Sequence, residues 1–307
     1  MKEEPLVSIQ CLVYNHEPYL RKCLNGFVIQ KTSFKFEAIV HDDVSTDGSA
    51  DIIKEYAEKY PDIIKPIYEK ENQYSKHDGS LNKIMNNACL GKYIAFCEGD
   101  DYWTDPYKLQ KQVDFLESNS DYGLVHTNCS CNKEGIIKPG ENAAKISDGY
   151  VFNDLLIHKF YIATLTVCIK KEIISQWEKL NPKERIEKKW EMSDYPLWLE
   201  AALHTKFKFL PDNTATYRHL SESASHSKDK YKNYKFFQSV YDIKFYFIKK
   251  TNPNKETKDI ILYNYYKGML SYSRFDLKNS FTGLLYLIRE KKIELKMILI
   301  FLKNLFL

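Results

Sequence analysis

The amino-acid sequence predicts an α/β fold: a mostly parallel central sheet flanked by helices, followed by a helical C-terminal extension. Short apolar runs alternate with segments in which apolar residues recur every three or four positions, as in strands and amphipathic helices. In residues 6–68 the order is strand, helix, strand, helix, strand, which favours parallel strands joined by right-handed crossovers. From residue 231 onward the patterns are helical, and the segment is rich in Tyr and Lys.

Four strands are predicted in the first third of the chain, at residues 6–13, 36–41, 63–68 and 93–97. They are largely apolar, as strands covered on both faces are. One-sided apolar spacing predicts helices at residues 20–28, 52–60, 82–90 and 109–116. A further strand is expected at residues 123–127.

The second half of the chain is less regular. Residues 131–149 are polar and predict a surface loop, followed by a strand at 164–170, a helix at 194–204 and a short strand at 207–210. The apolar tail at 293–307 carries two lysines. It could be a last packed helix, a dimer contact or a peripheral contact with an anionic membrane face.

Composition limits the classes of partner. The chain has 307 residues, a net charge of +4 and 44% apolar residues, enough for one large domain with an appendage or for two modest domains. Nearly all of its basic residues are Lys, so the bidentate Arg contacts that read DNA bases are poorly supplied, and we expect no nucleic-acid partner.

Cysteine usage and hydropathy predict a cytoplasmic protein. The seven cysteines have no framework spacing, and Cys11, Cys89, Cys97 and Cys168 lie in apolar runs, so we expect buried free thiols in a reducing compartment. The N-terminus has no apolar leader, and no apolar run reaches the roughly 18 residues of a membrane span.

Polar side chains follow three of the predicted strands where each strand ends. They are Tyr14-Asn15 after the first strand, Asp42-Asp43 at the second, and Glu98 with Asp100-Asp101 after the fourth. In an open α/β sheet, ligands bind at the carboxyl ends of the strands. Buried carboxylates need compensation, which Mg²⁺ or Mn²⁺ supplies.

These strand ends predict a crevice for a nucleotide, in which Tyr14 would stack on the base. The chain has neither a Gly-x-Gly-x-x-Gly after the first strand nor a P-loop. A metal on Asp101 would then neutralise the phosphates. Asp42-Asp43 could recognise a ribose or base edge, although capping of the next helix would also explain an acid there.

Further candidates lie downstream. Asp194 begins a helical segment, where it could be an N-cap or a general base at the mouth of the crevice. Arg218 could pair with a phosphate. Either His219 or His226 could complete the metal shell.

Together these motifs resemble the family 2 glycosyltransferases of the GT-A fold over roughly residues 5–226. The resemblance rests on the strand that ends in Tyr14-Asn15, on 41–49, on 99–103, on 193–195 and on Tyr217-Arg218. It implies a nucleotide-diphospho-sugar donor, a Mn²⁺ or Mg²⁺ ion and inversion at the anomeric carbon.

The resemblance also implies roles for individual residues. The donor-binding residues would be Tyr14 on the base, Asn15 and Glu17 beside it, Asp42 or Asp43 on the uracil or ribose edge, Asp100 on the ribose, Asn82 and Lys83 from a loop, and Arg218. Asp101 would hold the metal, and Asp194 would take the proton from the acceptor hydroxyl. Many members carry Asp where Glu98-Gly99 stands and have Tyr-Arg-x-His. Here His219 directly follows Arg218, which favours His226 as the metal-side histidine.

The resemblance therefore implies a metal-dependent inverting enzyme. It would transfer a sugar, from a UDP-sugar, to a hydroxyl of a glycan or lipid-linked oligosaccharide in cell-surface polysaccharide synthesis. We expect a transferase domain at 1–228, with a donor part at 1–130 and an acceptor part at 131–228, and a helical extension at 229–307. The alternatives are a non-catalytic nucleotide-sugar or glycan-binding module and a sugar nucleotidyltransferase, which usually has a Gly-rich phosphate loop that residues 13–18 lack.

Overall fold

The computed structural model describes residues 4–140, 145–180, 188–220 and 227–306. The chain forms two compact units. The first comprises Met1–Phe152, Phe160–Lys189 and Leu197–Leu220, and the second comprises Asn153–Lys159, Trp190–Pro196 and Ser221–Leu307. The predicted division of the chain after residue 228 stays a prediction.

The strands of the first unit form one mixed sheet. Their bounds are β1 Val7–Val13, β2 Phe36–Asp42, β3 Ile64–Tyr68, β4 Tyr93–Phe96, β5 Tyr102–Trp103, β6 Tyr122–Lys133, β7 Ile136–Lys138, β8 Val167–Lys170 and β9 Lys206–Arg218. The spatial order is β3-β2-β1-β4-β8-β6-β9-β5, with β7 paired to β6.

The first four strands confirm the predicted parallel arrangement. β1 lies between β2 and β4, and Val7 is aligned with both Phe36 and Tyr93. β2 also pairs in parallel with β3. Beyond β4 the pairing becomes mixed, because β8 is antiparallel to β4 and β6, whereas β9 is parallel to β6.

Helices flank this sheet and continue into the second unit. Their bounds are α1 Glu17–Val28, α2 Ser49–Lys59, α3 Ser80–Ala88, α4 Lys108–Ser118, α5 Phe152–Leu156, α6 Lys171–Leu180, α7 Asp194–His204, α8 Lys230–Thr251, α9 Lys255–Met269, α10 Leu277–Arg289 and α11 Leu295–Phe306. The predicted apolar face of α1 is buried at Leu20, Cys23, Leu24 and Phe27. The predicted C-terminal helical extension is confirmed by α8 to α11.

Two predictions for the second half of the first unit were wrong. Residues 131–149 do not form one polar loop, because β6 continues to Lys133 and turns back into β7. Glu134 and Gly135, both at positive φ (53° and 86°), form the two-residue turn of this hairpin. The strand predicted at 207–210 is 13 residues long and reaches Arg218. Parallel pairing with β6 continues through its polar middle, with irregular register shifts.

The predicted free, buried cysteines are confirmed. All seven thiols are free, and Cys11, Cys89, Cys97 and Cys168 are buried. Across the residues that the structure describes, we find no helix whose length and apolar character would let it cross a bilayer.

Candidate functional site

The candidate site lies at the sheet edge where β1, β2 and β4 end. Because the three strands are parallel and adjacent, the segments that follow them emerge side by side. β2 and β4 lie two strand spacings apart, about 10 Å, with β1 between them. The structure therefore brings the predicted residues at 14–17, 42–49 and 98–101 to one edge.

In the turn after β2, both carboxylate oxygens of Asp43 accept hydrogen bonds from the backbone. Its N–H donates to the Val13 carbonyl oxygen (2.9 Å). Its Oδ1 accepts from the Gln73 N–H (2.6 Å), and its Oδ2 accepts from the Tyr74 N–H (2.9 Å). Asp43 is thus an anchor for the loop that precedes α3.

The Asp42 carboxylate, in contrast, has few hydrogen-bond partners among the described residues. Asp42 is 4% exposed, and its Oδ2 accepts a long hydrogen bond from the Ser45 N–H (3.4 Å). Its Oδ1 is buried and has no hydrogen-bond partner in the described part of the chain. A buried carboxylate oxygen in this condition is costly, and a ligand donor would compensate it. Of the two adjacent acids, Asp42 is the one with a carboxylate oxygen that has no hydrogen-bond partner among the described residues.

The loops after β1 and β2 are joined by Asn15. Its N–H donates to the Ser45 Oγ (3.0 Å), and its Oδ1 accepts from the Thr46 N–H (2.7 Å). Asn15 and Val44 have positive φ (56° and 66°). A left-handed conformation is strained for a β-branched residue such as Val, and such strain concentrates at functional sites.

Glu17 makes a second link between the same loops. Its Oε2 accepts from the Gly48 N–H (2.8 Å), and its own N–H donates to the Asp47 Oδ2 (3.0 Å). The polar groups of Asn15 and Glu17 therefore shape the site, whereas Tyr14 is 50% exposed and available to stack on a flat ligand.

The turn after β4 presents Asp101, which is 2% exposed. Its Oδ1 accepts from the Arg218 backbone N–H (2.6 Å). Burial raises the pKa of Asp101 well above its ordinary value, and the negative charges of Asp100 and Glu98 add to the shift, while Arg218 opposes it. The charged form of Asp101 is therefore costly without a further positive partner.

Arg218 holds the turn from the neighbouring strand. Antiparallel pairing of Tyr102 with Thr216 places Arg218 beside Asp100 and Asp101. The guanidinium donates to the Asp100 carbonyl oxygen. It also lies 4.5 Å from the ring centroid of Tyr102 and 5.0 Å from that of Tyr19. Sequence reasoning missed Tyr19, because the strand that carries Arg218 was predicted to end at residue 210.

His16 is a second residue that sequence reasoning missed. Its Nδ1 faces Gly99 so closely that a Cβ there would lie 2.8 Å away. Burial lowers the pKa of His16, Asp100 and Asp47 oppose that shift, and Arg218 reinforces it. The only signal in the sequence was its position directly after Asn15.

Asn82 and Lys83 lie in the first turn of α3, Asn82 half-buried and Lys83 exposed. The Ser80 Oγ at the start of this helix donates to the Gln73 Oε1 (3.1 Å). Since the Gln73 N–H is bound by Asp43, the start of α3 is tied to the turn after β2.

Asp194 belongs to the second unit, where it is the first residue of α7. Its Oδ1 accepts from the Tyr195 N–H (2.7 Å). The Tyr195 hydroxyl donates to the Leu155 carbonyl oxygen (3.1 Å), and its ring centroid lies 4.7 Å from that of His158. This segment is therefore fixed within its unit, and Asp194 has the position expected of a helix N-terminal acid.

Of the two candidate metal-side histidines, His219 is among the described residues and His226 is not. The His219 N–H donates to the Asn132 carbonyl oxygen (2.9 Å), which continues the strand pairing beyond Arg218. His226, the preferred candidate, lies outside the described residues.

The residues of the β4 turn fit a divalent cation that arrives with a ligand. In the described ranges, no three His, Cys, Asp or Glu side chains gather into a metal cage. Mg²⁺, however, is usually held by one or two carboxylates together with substrate phosphates. Asp101, whose pKa is raised by burial and by the neighbouring charges of Asp100 and Glu98, is such a carboxylate.

Fold and site together define an α/β architecture with acidic strand ends at one edge of its sheet. Residues 8–171 match the sequence model described as "Glycosyl transferase family 2". The chain belongs to this family of glycosyltransferases.

Two relatives illustrate the range of similarity. An uncharacterized protein of Mycobacterium tuberculosis is 47% identical over 111 residues, which are 36% of this chain and 31% of that relative. The match thus spans less than a third of its length. TuaG of Bacillus subtilis, provisionally named a teichuronic acid biosynthesis glycosyltransferase, is 29% identical over 233 residues, 73% of this chain and 83% of TuaG.

Solved structures share the fold. Staphylococcus aureus TarS residues 1–349 in complex with UDP align with a TM-score of 0.59 and 18% identity, covering 94% of this chain and 76% of that one. The mannosyltransferase PcManGT of Pyrobaculum calidifontis, in complex with GDP-Man and Mn²⁺, gives 0.56 and 18%, covering 99% and 80%. These likenesses confirm the GT-A fold.

Proposed function

We propose that the protein is an inverting glycosyltransferase that transfers a sugar from a UDP-sugar to a hydroxyl of a glycan or lipid-linked oligosaccharide. The observation that carries the proposal is a pair of buried carboxylates, Asp42 and Asp101, at the ends of the strands on either side of β1. The UDP bound to TarS and the name of TuaG support a UDP-sugar and a role in cell-surface polysaccharide synthesis. We place this activity in the cytoplasm.

The donor would bind across the three strand ends. Tyr14 stacks on the base, the Asp42 Oδ1 accepts a hydrogen bond from the base or ribose, and Asp100 reaches the ribose. Asn15 and Glu17 fix the loops that shape this surface, and we infer that Asp43 acts in the same way. Asn82 and Lys83 contribute from the start of α3.

Asp101 would hold a Mn²⁺ or Mg²⁺ ion, with His226 or His219 as a further ligand. Such an ion stabilises the negative charge of the diphosphate leaving group. PcManGT, which binds Mn²⁺ together with GDP-Man, is a precedent within the fold. Arg218 keeps Asp101 in place through its backbone N–H, and its guanidinium adds positive charge beside Asp100.

The transfer itself needs one base. The Asp194 carboxylate accepts the proton of the acceptor hydroxyl while that oxygen bonds to the anomeric carbon. The bond from the anomeric carbon to the phosphate oxygen breaks, and the nucleoside diphosphate leaves with the electron pair. Attack from the face opposite the leaving group inverts the configuration, and removal of the proton is worth about 10²–10⁴-fold.

Asp194→Asn tests this role. We expect unchanged binding of UDP with Mn²⁺ by calorimetry and a transfer rate about 10²–10⁴-fold lower, because only the base is lost. A screen of UDP-, GDP- and dTDP-sugars first identifies the donor used.

Asp229→Asn is the matched control, since Asp229 is likewise an acid at a helix N-terminus of the second unit: it is the N-cap of α8, and its Oδ1 accepts from the Tyr231 N–H (2.7 Å). Transfer at the wild-type rate by the Asp194 variant would exclude Asp194 as the base. Absence of metal-dependent UDP binding in the wild type would contradict the donor proposal itself.

A further inference from the structure

Two helices of the second unit expose continuous apolar stripes. On α10 the stripe recurs at intervals of four, four and three residues, and its members are about half exposed: Leu277, Phe281, Leu285 and Ile288 (49–53%). On α11 the intervals are four and three, and the members are Leu295, Leu299 and Leu302 (43–74%). Each interval keeps the side chains on one face of its helix.

These stripes are additional to the core that joins the helices. Leu287 of α10 and Met297 and Phe301 of α11 are buried together with Leu270. Each helix therefore has one apolar face in the core and a second apolar face outside it. Clustered exposed apolar residues commonly mark an interaction surface.

The same segment carries the net charge of the protein. Residues 277–306 contain six basic and two acidic residues, whereas the rest of the chain has equal numbers of each. All six basic residues are exposed: Lys278, Arg289, Lys291, Lys292, Lys296 and Lys303. Lys278, Lys296 and Lys303 each directly follow a stripe residue and so flank the apolar faces.

We propose that α10 and α11 form a docking surface, the α10–α11 surface, for a bilayer that contains anionic phospholipid. Helices of 13 and 12 residues are too short to span a bilayer but suit the interface, where apolar side chains enter the acyl boundary and lysines meet lipid phosphates. The concentration of positive charge favours this occupant over a second copy of the chain, whose own α10–α11 surface would repel it. The proposal does not depend on sugar transfer.

Vesicle flotation of the full chain tests the α10–α11 surface. The probes are vesicles of phosphatidylcholine alone and vesicles that also contain phosphatidylglycerol. We expect at least about tenfold stronger binding to the anionic vesicles, with the difference lost in high salt, because the basic residues contribute through charge. Equal binding to both vesicles, or no binding, would overturn the proposal.

Two variants locate the surface. A triple change of Phe281, Leu285 and Leu299 to Ser should abolish flotation without lowering the melting temperature, since these side chains are exposed. The matched control replaces Ile136 and Ile137, exposed apolar residues of β7, with Ser and should float like the wild type. A dimer in light scattering that the triple variant converts to a monomer, without wild-type flotation, would assign the surface to a second copy and reject the membrane.

Discussion

The turns after β2 and β4 both present adjacent aspartates, but the fold treats the two pairs differently. At the end of β2, the Asp43 carboxylate accepts hydrogen bonds from two backbone N–H groups. Asp42, by contrast, has a buried carboxylate oxygen without a hydrogen-bond partner in the described ranges. In the turn after β4, Asp101 has one backbone N–H at its Oδ1, from a distant strand. Adjacent acids therefore do not share one role.

The two turns also differ in what they need from a ligand. The turn after β2 is held by its own loops and has one acceptor to offer, which suits a hydrogen bond from a base or ribose. In the turn after β4, burial with two neighbouring carboxylates raises the pKa of Asp101, so a cation is needed to keep the carboxylate charged. We infer that the first turn recognises the nucleoside and the second turn handles the diphosphate.

Asp101→Asn should have the largest effect. The amide still accepts from the Arg218 N–H but cannot replace a charged ligand, so we expect turnover of the donor to fall about 10²–10³-fold. Thermal stability without metal should stay the same or rise, because the variant removes a carboxyl group whose ionisation is penalised by burial. Turnover and melting curves with and without Mn²⁺ measure both effects.

Asp121→Asn serves as the control, since Asp121 forms an exposed ion pair with Lys206 and lies away from the turns. If the Asp101 variant kept Mn²⁺-dependent turnover, the cation would be held elsewhere and the contrast between the two turns would fail.

Arg218→Lys should have an intermediate effect. Lysine keeps the charge and the backbone N–H but loses the planar group that lies against Tyr19 and Tyr102 and donates to the Asp100 carbonyl. Small displacements of catalytic groups cost up to about 10²-fold, and we expect a tenfold to hundredfold loss of kcat with weaker apparent Mn²⁺ affinity.

Arg21→Lys is the matched control, because Arg21 pairs with Glu55 on the protein surface. A fall in UDP affinity alone, at saturating Mn²⁺, would instead mean that Arg218 contacts phosphate, as its residue type first suggested.

The sequence predicted the parallel half of the sheet because each of its elements has a local signature. Buried strands, one-sided helices and polar strand ends can all be read within windows of a few residues. The convergence of Tyr14, Asp42 and Asp101 then follows from parallel order alone.

The mixed half of the sheet and the rest of the site depend on pairing between segments that are distant in the sequence. β9 contains Pro211, Asp212 and Asn213, residues typical of a turn, and only its partner β6 makes it a strand. The positions of Arg218 and Tyr19 could not be predicted without that pairing. The different hydrogen bonding of Asp42 and Asp43 could not be predicted either, because it depends on the N–H groups of a loop 30 residues away.

Asp42→Asn and Asp43→Asn should have the smallest effects, and opposite ones. For Asp42 we expect about tenfold weaker UDP binding by calorimetry with little change in stability, because its Oδ1 has no partner to lose in the described chain. For Asp43, one of two charge-assisted N–H bonds is lost, which should lower the free energy of unfolding by about 1–3 kcal/mol. UDP binding by the Asp43 variant should stay near wild type at a temperature where it is folded. If the Asp43 variant lost UDP affinity while remaining as stable as wild type, Asp43 would be the donor contact and the roles of the pair would be reversed.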